Sequence, residues 1–282
     1  MELGRVGVWS MELRFGDKAQ AADAAAELED LGYGALWVPG GIGGDVTGDL
    51  DHLLGATRRA AIATGILNIW KHEPEDIAAW FHALPADRRD RVMLGLGVSH
   101  GPLIGEAWAK PLAVMRAWLD RLDAVAMPRD QLCLAALGPK MLALSAERTA
   151  GAHPYLITPA HTAMAREAVG PDALLAPEQG VILESDPEQA RALGRGAIEH
   201  YRRLPNYVNS WKRLGLSEHE IESASDRLVD ALFAWGSVEQ IKQRVDDHLT
   251  AGANHVCIQV ITAGGGIGNA MPVFRELAGA LL

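Results

Sequence analysis

Cysteine is nearly absent: there are two in 282 residues, Cys133 and Cys257, each inside an apolar stretch that reads as a strand. Two thiols so placed make neither a disulfide framework nor a metal site. They read as small buried hydrophobes. Long apolar runs are missing too, since none approaches the roughly 20 residues of a bilayer span. Basic residues are the scarcer charge, 26 Lys and Arg against 36 Asp and Glu, for a formal net charge of −10. No basic stripe or arm is visible, which excludes nucleic acid and anionic membranes as partners. An anionic ligand must then find a local basic patch. The chain enters a strand pattern at once, Met1 to Val6, without a charged leader and apolar segment, so it is expected in the cytoplasm. The ten histidines show no helical pair with a third ligand, and no metal is expected.

What is present is a repeated strand–helix pattern, and 49% of the residues are apolar, enough for one large core. Strands are expected at 5–9, 35–38, 65–69, 92–97, 132–136 and 154–157, somewhere within 173–183, and at 255–261. Helices are expected between them, among others at 18–31, 50–61, 111–126 and 162–169, with a terminal helix from 272 to 281. Gly32 is placed to stop the first helix. The longest segment without a strand, about 186–234, opens on Asp186-Pro187-Glu188, a helix start with cap, proline and acid. Ser217 to Glu220 and Ser237 to Gln240 fit capping boxes. This segment therefore reads as inserted helices between strands seven and eight. Eight short strands separated by helices are the signature of a barrel or a doubly wound sheet, and about 250 residues suit a single barrel domain, here 1–282.

The stretch from Thr64 to His100 carries the most information. Ile66, Leu67 and Ile69 form an apolar strand run, Pro74 suits a helix start, and Ile77, Trp80, Phe81 and Leu84 recur at helical spacing. The following strand contains Gly95 and Gly97, and glycine inside a strand often marks close approach by a ligand or another backbone. Asn68, Ser99 and His100 lie just past the strand ends, where a parallel barrel places its chemistry. Trp9 and Trp70 also end strands there and are candidates to wall a substrate pocket. Trp37 and Trp80 read as core or interface. The glycine-rich loop 264–269 matches no phosphate fingerprint and reads as a connection, and the second strand runs into a loop from Pro39 to Gly44. Lys71-His72 reads as a solvated loop.

Ala63 to Ile69, Arg91 to His100, Leu137-Gly138-Pro139-Lys140-Met141-Leu142 and Ala251 to Val256 resemble the luciferase-like monooxygenase superfamily, and within it the branch that uses the deazaflavin coenzyme F420. The resemblance runs almost end to end. It implies a (β/α)8 TIM barrel of the bacterial luciferase type that binds its ring at the C-terminal mouth, and a homodimer. It also implies a non-proline cis peptide at Gly65–Ile66 and Asn68 facing the ring's carbonyl and N–H edge. Gly97, Val98 and Ser99 would pass close to the ring and ribityl chain, with Gly138, Pro139, Lys140 and Thr158 around the phosphate. Two departures stand out. Deazaflavin-dependent sugar-phosphate dehydrogenases carry an Asp-His pair after strand two, where this chain has Gly40 and Gly41. They carry a catalytic glutamate after strand four, where His100 stands. His100 is thus either the acid–base group, as imidazole titrates near neutral pH, or a loop histidine that shapes the pocket. The resemblance implies an oxidoreductase moving a hydride between F420 and a small organic substrate. An FMN-dependent monooxygenase is the alternative, and a protein that binds F420 or flavin without turnover is the second. A Schiff-base aldolase is disfavoured, because no lysine lies inside an expected strand.

Overall fold

The computed structural model describes residues 1–41, 43–105, 108 and 110–282; Ile42 of the loop after the second strand lies outside the described residues. Ten parallel strands form one curled sheet with helices around it, a TIM-barrel-like α/β fold. They are β1 (Val6–Trp9), β2 (Ala35–Gly40), β3 (Ala61–Asn68), β4 (Val92–Gly97), β5 (Leu132–Leu134), β6 (Gly151–Ala152), β7 (Leu174–Leu175), β8 (Glu178–Ile182), β9 (Phe233–Trp235) and β10 (Val256–Val260). Their order is β7-β6-β5-β4-β3-β2-β1-β10-β8-β9. Only Ala176 and Pro177 separate β7 from β8. Across that kink the backbone stays paired on both sides: Ala176 N–H reaches Ala152 O, Glu178 N–H reaches Pro154 O, and Cys257 N–H reaches Pro177 O.

Alternation along the strands sorts residues into two cores. In β2, Leu36 and Val38 face the surrounding helices, whereas Ala35 and Trp37 face the interior with Ala61, Ala63, Met93, Cys133 and Cys257. Both cysteines are free and buried. The interior is built from small residues because Trp37 and two histidines fill it. Trp37 stacks on His153, centroids 4.2 Å apart, and donates from Nε1 to His255 Nε2 at 3.1 Å.

The helix Lys18–Leu31 lies where its pattern places it, capped by the Asp17 side chain and ended by Gly32 at φ 107°. Other boundaries differ for identifiable reasons. The helix expected at 50–61 spans Val46–Ala56, because Asp45 caps it by accepting from Gly48 N–H. Residues 61–64 instead extend β3. The Glu29 carboxylate takes the N–H groups of Arg58, Arg59 and Ala60 at this turn. The sixth strand is Gly151–Ala152, not 154–157. The latter run is apolar because Leu156 packs against the inserted helices. The terminal helix begins at Ile267, with Pro272 inside it.

The segment after β8 holds the helices Pro187–Ile198, Pro205–Arg213, Glu218–Glu222 and Asp226–Leu232, and then β9, so residues 233 and 234 are strand. These helices share a second core around Tyr207, Trp211, Leu228 and Phe233. Both capping boxes form, at Ser217/Glu220 and Ser237/Gln240. No helix among the described residues is long and apolar enough to cross a membrane.

Candidate active site

The C-terminal end of β3 organises the site. The Gly65–Ile66 peptide is cis, and the pairing of β3 with both β2 and β4 slips between Thr64 and Leu67. Three contacts fix this bulge. Trp9 Nε1 donates to Gly65 O at 2.9 Å, and Thr64 Oγ1 donates to Gly95 O at 2.9 Å. Gly40 lies so close that a Cβ there would stand 2.8 Å from Leu67 Cα. A side chain at position 40 would strike the bulge, which gives a physical reason for glycine there. Gly97 lets the Ile66 side chain lie directly against β4, since a Cβ there would run into Ile66 Cδ1.

Beside this bulge lies a cavity of about 470 Å³. Ile66 and His153 line its inner end, the run from Gly97 to Pro102 with Trp108 lines one side, and Ala135 to Gly138 with Met141 line another. Tyr155 and the helix Pro205–Arg213 close it over, the helix through Asn206, Tyr207, Asn209 and Arg213. Asn206, Asn209 and Arg213 follow an i, i+3, i+7 spacing, so they share one face, while Ser210 and Trp211 are buried on another.

On one wall of the cavity, His100 Nδ1 lies 2.9 Å from Asn206 Oδ1. An amide oxygen only accepts, so Nδ1 carries the proton and donates, leaving Nε2 as a lone pair. Burial pushes the His100 pKa down, the Asn206 bond opposes this, and the charge of His200 adds to the lowering. The neutral form is therefore favoured at neutral pH.

At the opposite end, Arg213 Nη2 donates to Leu137 O at 3.2 Å beside Gly138, the N-cap of the helix Pro139–Arg148. Among the described residues no carboxylate pairs with Arg213 or Lys140. A guanidinium next to the positive end of a helix dipole, unmatched by a carboxylate, suits an anion.

Beneath the mouth, burial pushes the Glu178 carboxyl up to about 8. Glu178 Oε2 accepts from Leu156 N–H at 3.3 Å. Leu156 sits at φ 52° and its carbonyl accepts from Trp211 Nε1 at 3.0 Å. Tyr155 is held by its hydroxyl donating to Gln259 Oε1 at 2.9 Å.

Of the residues singled out from sequence, Ile66, Gly97, Val98, Ser99, His100 and Gly138 line the cavity. Gly65 lies behind it with its carbonyl on Trp9. Asn68 is buried and accepts from Trp70 N–H at 3.0 Å. Pro139 and Lys140 are exposed in the first turn of their helix, and Thr158 caps the helix Pro159–Val169 by accepting from His161 N–H. Trp9 and Trp70 act from behind, Trp70 donating to Val98 O at 2.6 Å. Sequence reading missed Arg213, Asn206, Asn209, Tyr155 and His153. The spacing of the two asparagines and the arginine was the available signal, and it imitates a solvated face. Among the described residues no three metal-ligating side chains cluster.

The chain belongs to the luciferase-like monooxygenase family, whose model matches residues 3–255. No curated protein sequence matches it. Solved structures of the same fold include an F420-dependent secondary alcohol dehydrogenase in complex with an F420–acetone adduct, at 15% identity, 100% coverage of both chains and TM-score 0.76. The coenzyme F420-dependent tetrahydromethanopterin reductase of Methanopyrus kandleri is 13% identical over 100% of this chain and 99% of its own, with TM-score 0.71. The FMN-bound oxygenating constituent of 3,6-diketocamphane monooxygenase from Pseudomonas putida is 12% identical over 100% and 99%, with TM-score 0.69. The chain is accordingly a luciferase-like oxidoreductase.

Proposed function

We propose that this protein is an F420-dependent oxidoreductase that moves a hydride between the deazaflavin and a small, uncharged organic substrate. The observation that carries the reading is the His100–Asn206 pair facing the same cavity as the β3 bulge. The cavity residues fit such a cofactor: the largely apolar cavity beside Ile66, Gly97 and Ala135 has room for a flat ring, and Arg213 with the helix N-terminus at Gly138 suits a phosphate. When bound, the deazaflavin supplies a ring carbon that accepts or returns a hydride. His100 takes the accompanying proton at Nε2 as the substrate is oxidised, while Asn206 holds the ring by Nδ1–H. Tyr207 against His100 and Trp108 against Gly101 keep that end of the cavity apolar, which favours a substrate without charge. The barrel is read as eight staves, with residues 174–182 counted as one and with β9, which pairs with β8 at the end of the sheet, grouped with the inserted helices outside the barrel. A single domain that pairs as a homodimer completes the reading.

Fluorescence titration with F420 and, separately, FMN is the test. F420 binding at micromolar or tighter affinity, with FMN at least tenfold weaker, supports the reading; the reverse order overturns the choice of cofactor. His100→Ala is expected to lower kcat about 10²–10⁴-fold with F420 affinity unchanged. Because the His100 pKa is lowered, the wild-type rate should stay on its plateau below pH 6.5, the ordinary imidazole value.

A second reading is an FMN-dependent monooxygenase. The anion end formed by Arg213 and Gly138 serves the phosphate of FMN equally well, and an FMN enzyme shares the fold. Oxygen consumption in the presence of a flavin reductase separates the two.

A further inference from the structure

His153 sits at the inner end of the cavity and is 1% exposed. Its ring is held rigidly. One face stacks on Trp37 at an interplanar angle of 15°, and Nδ1 lies 2.7 Å from Ala176 O. A carbonyl oxygen only accepts, so Nδ1 bears the hydrogen. Burial keeps the ring neutral, with a pKa lowered to about 4, and Nε2 is then a fixed lone pair. No described residue donates to it. The neighbouring position is Gly65, where a Cβ would stand 2.8 Å from Nε2 and 2.5 Å from Trp9 Nε1. The missing side chain lets Nε2 come up against the bulge, at the margin of the cavity that His153 lines.

We propose that His153 Nε2 is the hydrogen-bond acceptor for an N–H on the buried edge of the bound ring, so that the site selects heteroaromatic ligands carrying an imide or lactam N–H. This rests on the flavin-type reading above and adds the ring's orientation: its N–H edge points inward and its polar arm outward toward Arg213. His153 is a positioning residue. Proton transfer stays with His100.

The test compares riboflavin with N3-methylriboflavin, and the F420 chromophore with its N3-methyl derivative, by fluorescence quenching. The wild type should bind each parent at least tenfold more tightly than its methylated form. His153→Phe keeps the stack on Trp37 and should bring the two within twofold, while His153→Gln keeps an acceptor and should retain the preference. In the wild-type complex, the N3 proton of labelled riboflavin should appear downfield and protected from exchange, a readout that needs no variant. Equal binding of parent and methylated rings by the wild type, or an unprotected N3 proton, overturns the assignment and leaves the cofactor reading standing. Absence of binding by both parents and by F420 and FMN overturns both.

Discussion

The cavity has two unlike walls. The inner wall, made by β3, β4 and the residue after β6, works through what is missing: Gly40, Gly65 and Gly97 let backbone, bulge and ring approach one another. The outer wall, from the helix Pro205–Arg213, works through added polar groups on one helical face. The first sets shape and permits almost no substitution. The second sets chemistry along the ligand and is anchored mainly through Trp211 and Leu156. A rigid wall and a polar cover divide the labour between fit and recognition.

Acid should separate the two walls most strongly. His153 and His255 fill the interior behind the inner wall, and burial lowers both to a pKa of about 4. A lowered histidine contributes stability above its unfolded value near 6.5, and this is lost as pH falls toward the folded value. Glu178 has the opposite sign: its raised pKa gives stability that is present at low pH and lost as pH climbs toward 8. Two histidines outweigh one carboxyl between pH 6.5 and about 4.5, leaving a net loss on the order of a few kcal/mol. Urea unfolding at pH 7, 5.5 and 4.5 should show the midpoint dropping steadily; a flat midpoint would mean that these rings are not held neutral.

Next in size is Gly97→Val, whose side chain would collide with Ile66 and push it into the cavity that both residues line. FMN or F420 affinity should fall about 100-fold, or ~2.7 kcal/mol, measured by quenching alongside a melting curve. Retained affinity would place the ring elsewhere. The smallest effect sharpens the outer wall. Arg213→Ala should weaken FMN about 10- to 30-fold, in the range of one charge-assisted hydrogen bond, and leave riboflavin within twofold. Lys140→Ala should change neither by more than about twofold, because its ammonium is exposed and screened. An effect at Lys140 that exceeds the one at Arg213 would return the phosphate to the position that sequence resemblance implies.

The same division governs what could be read from sequence. β1, β2 and β4 carry alternating or continuous apolar runs ended by glycine or polar residues, and Asp17 and Gly32 bracket the first long helix. β6 is two residues long, too short for any pattern. Its neighbours at 154–157 mimic a strand because Leu156 must pack beneath Trp211. β9 was hidden in the same way, since Phe233, Ala234 and Trp235 continue a helical apolar pattern from Leu228 and Leu232. In the site, glycines in a strand announce close approach by themselves. Arg213 does not announce itself, because polar residues facing an internal cavity have the composition of a face in water. His153 was equally silent, for its role depends on Gly65, distant in sequence, having no side chain.

One feature of β9 reaches beyond the site. The chain leaves the sheet after Ile182 and returns at Phe233, which pairs with Gly180; Trp235 then pairs with Ile182, and Gly236 N–H closes the junction on Ile182 O. The whole helical excursion is thus tied off at its base by the parallel pairing of β9 on β8. Loop-closure entropy grows only slowly with length, by about 0.6 kcal/mol per doubling, so the barrel is nearly indifferent to what hangs from that knot. The excursion behaves as a cassette: evolution or an engineer can exchange it, and with it the cavity's cover, while the catalytic floor is inherited unchanged.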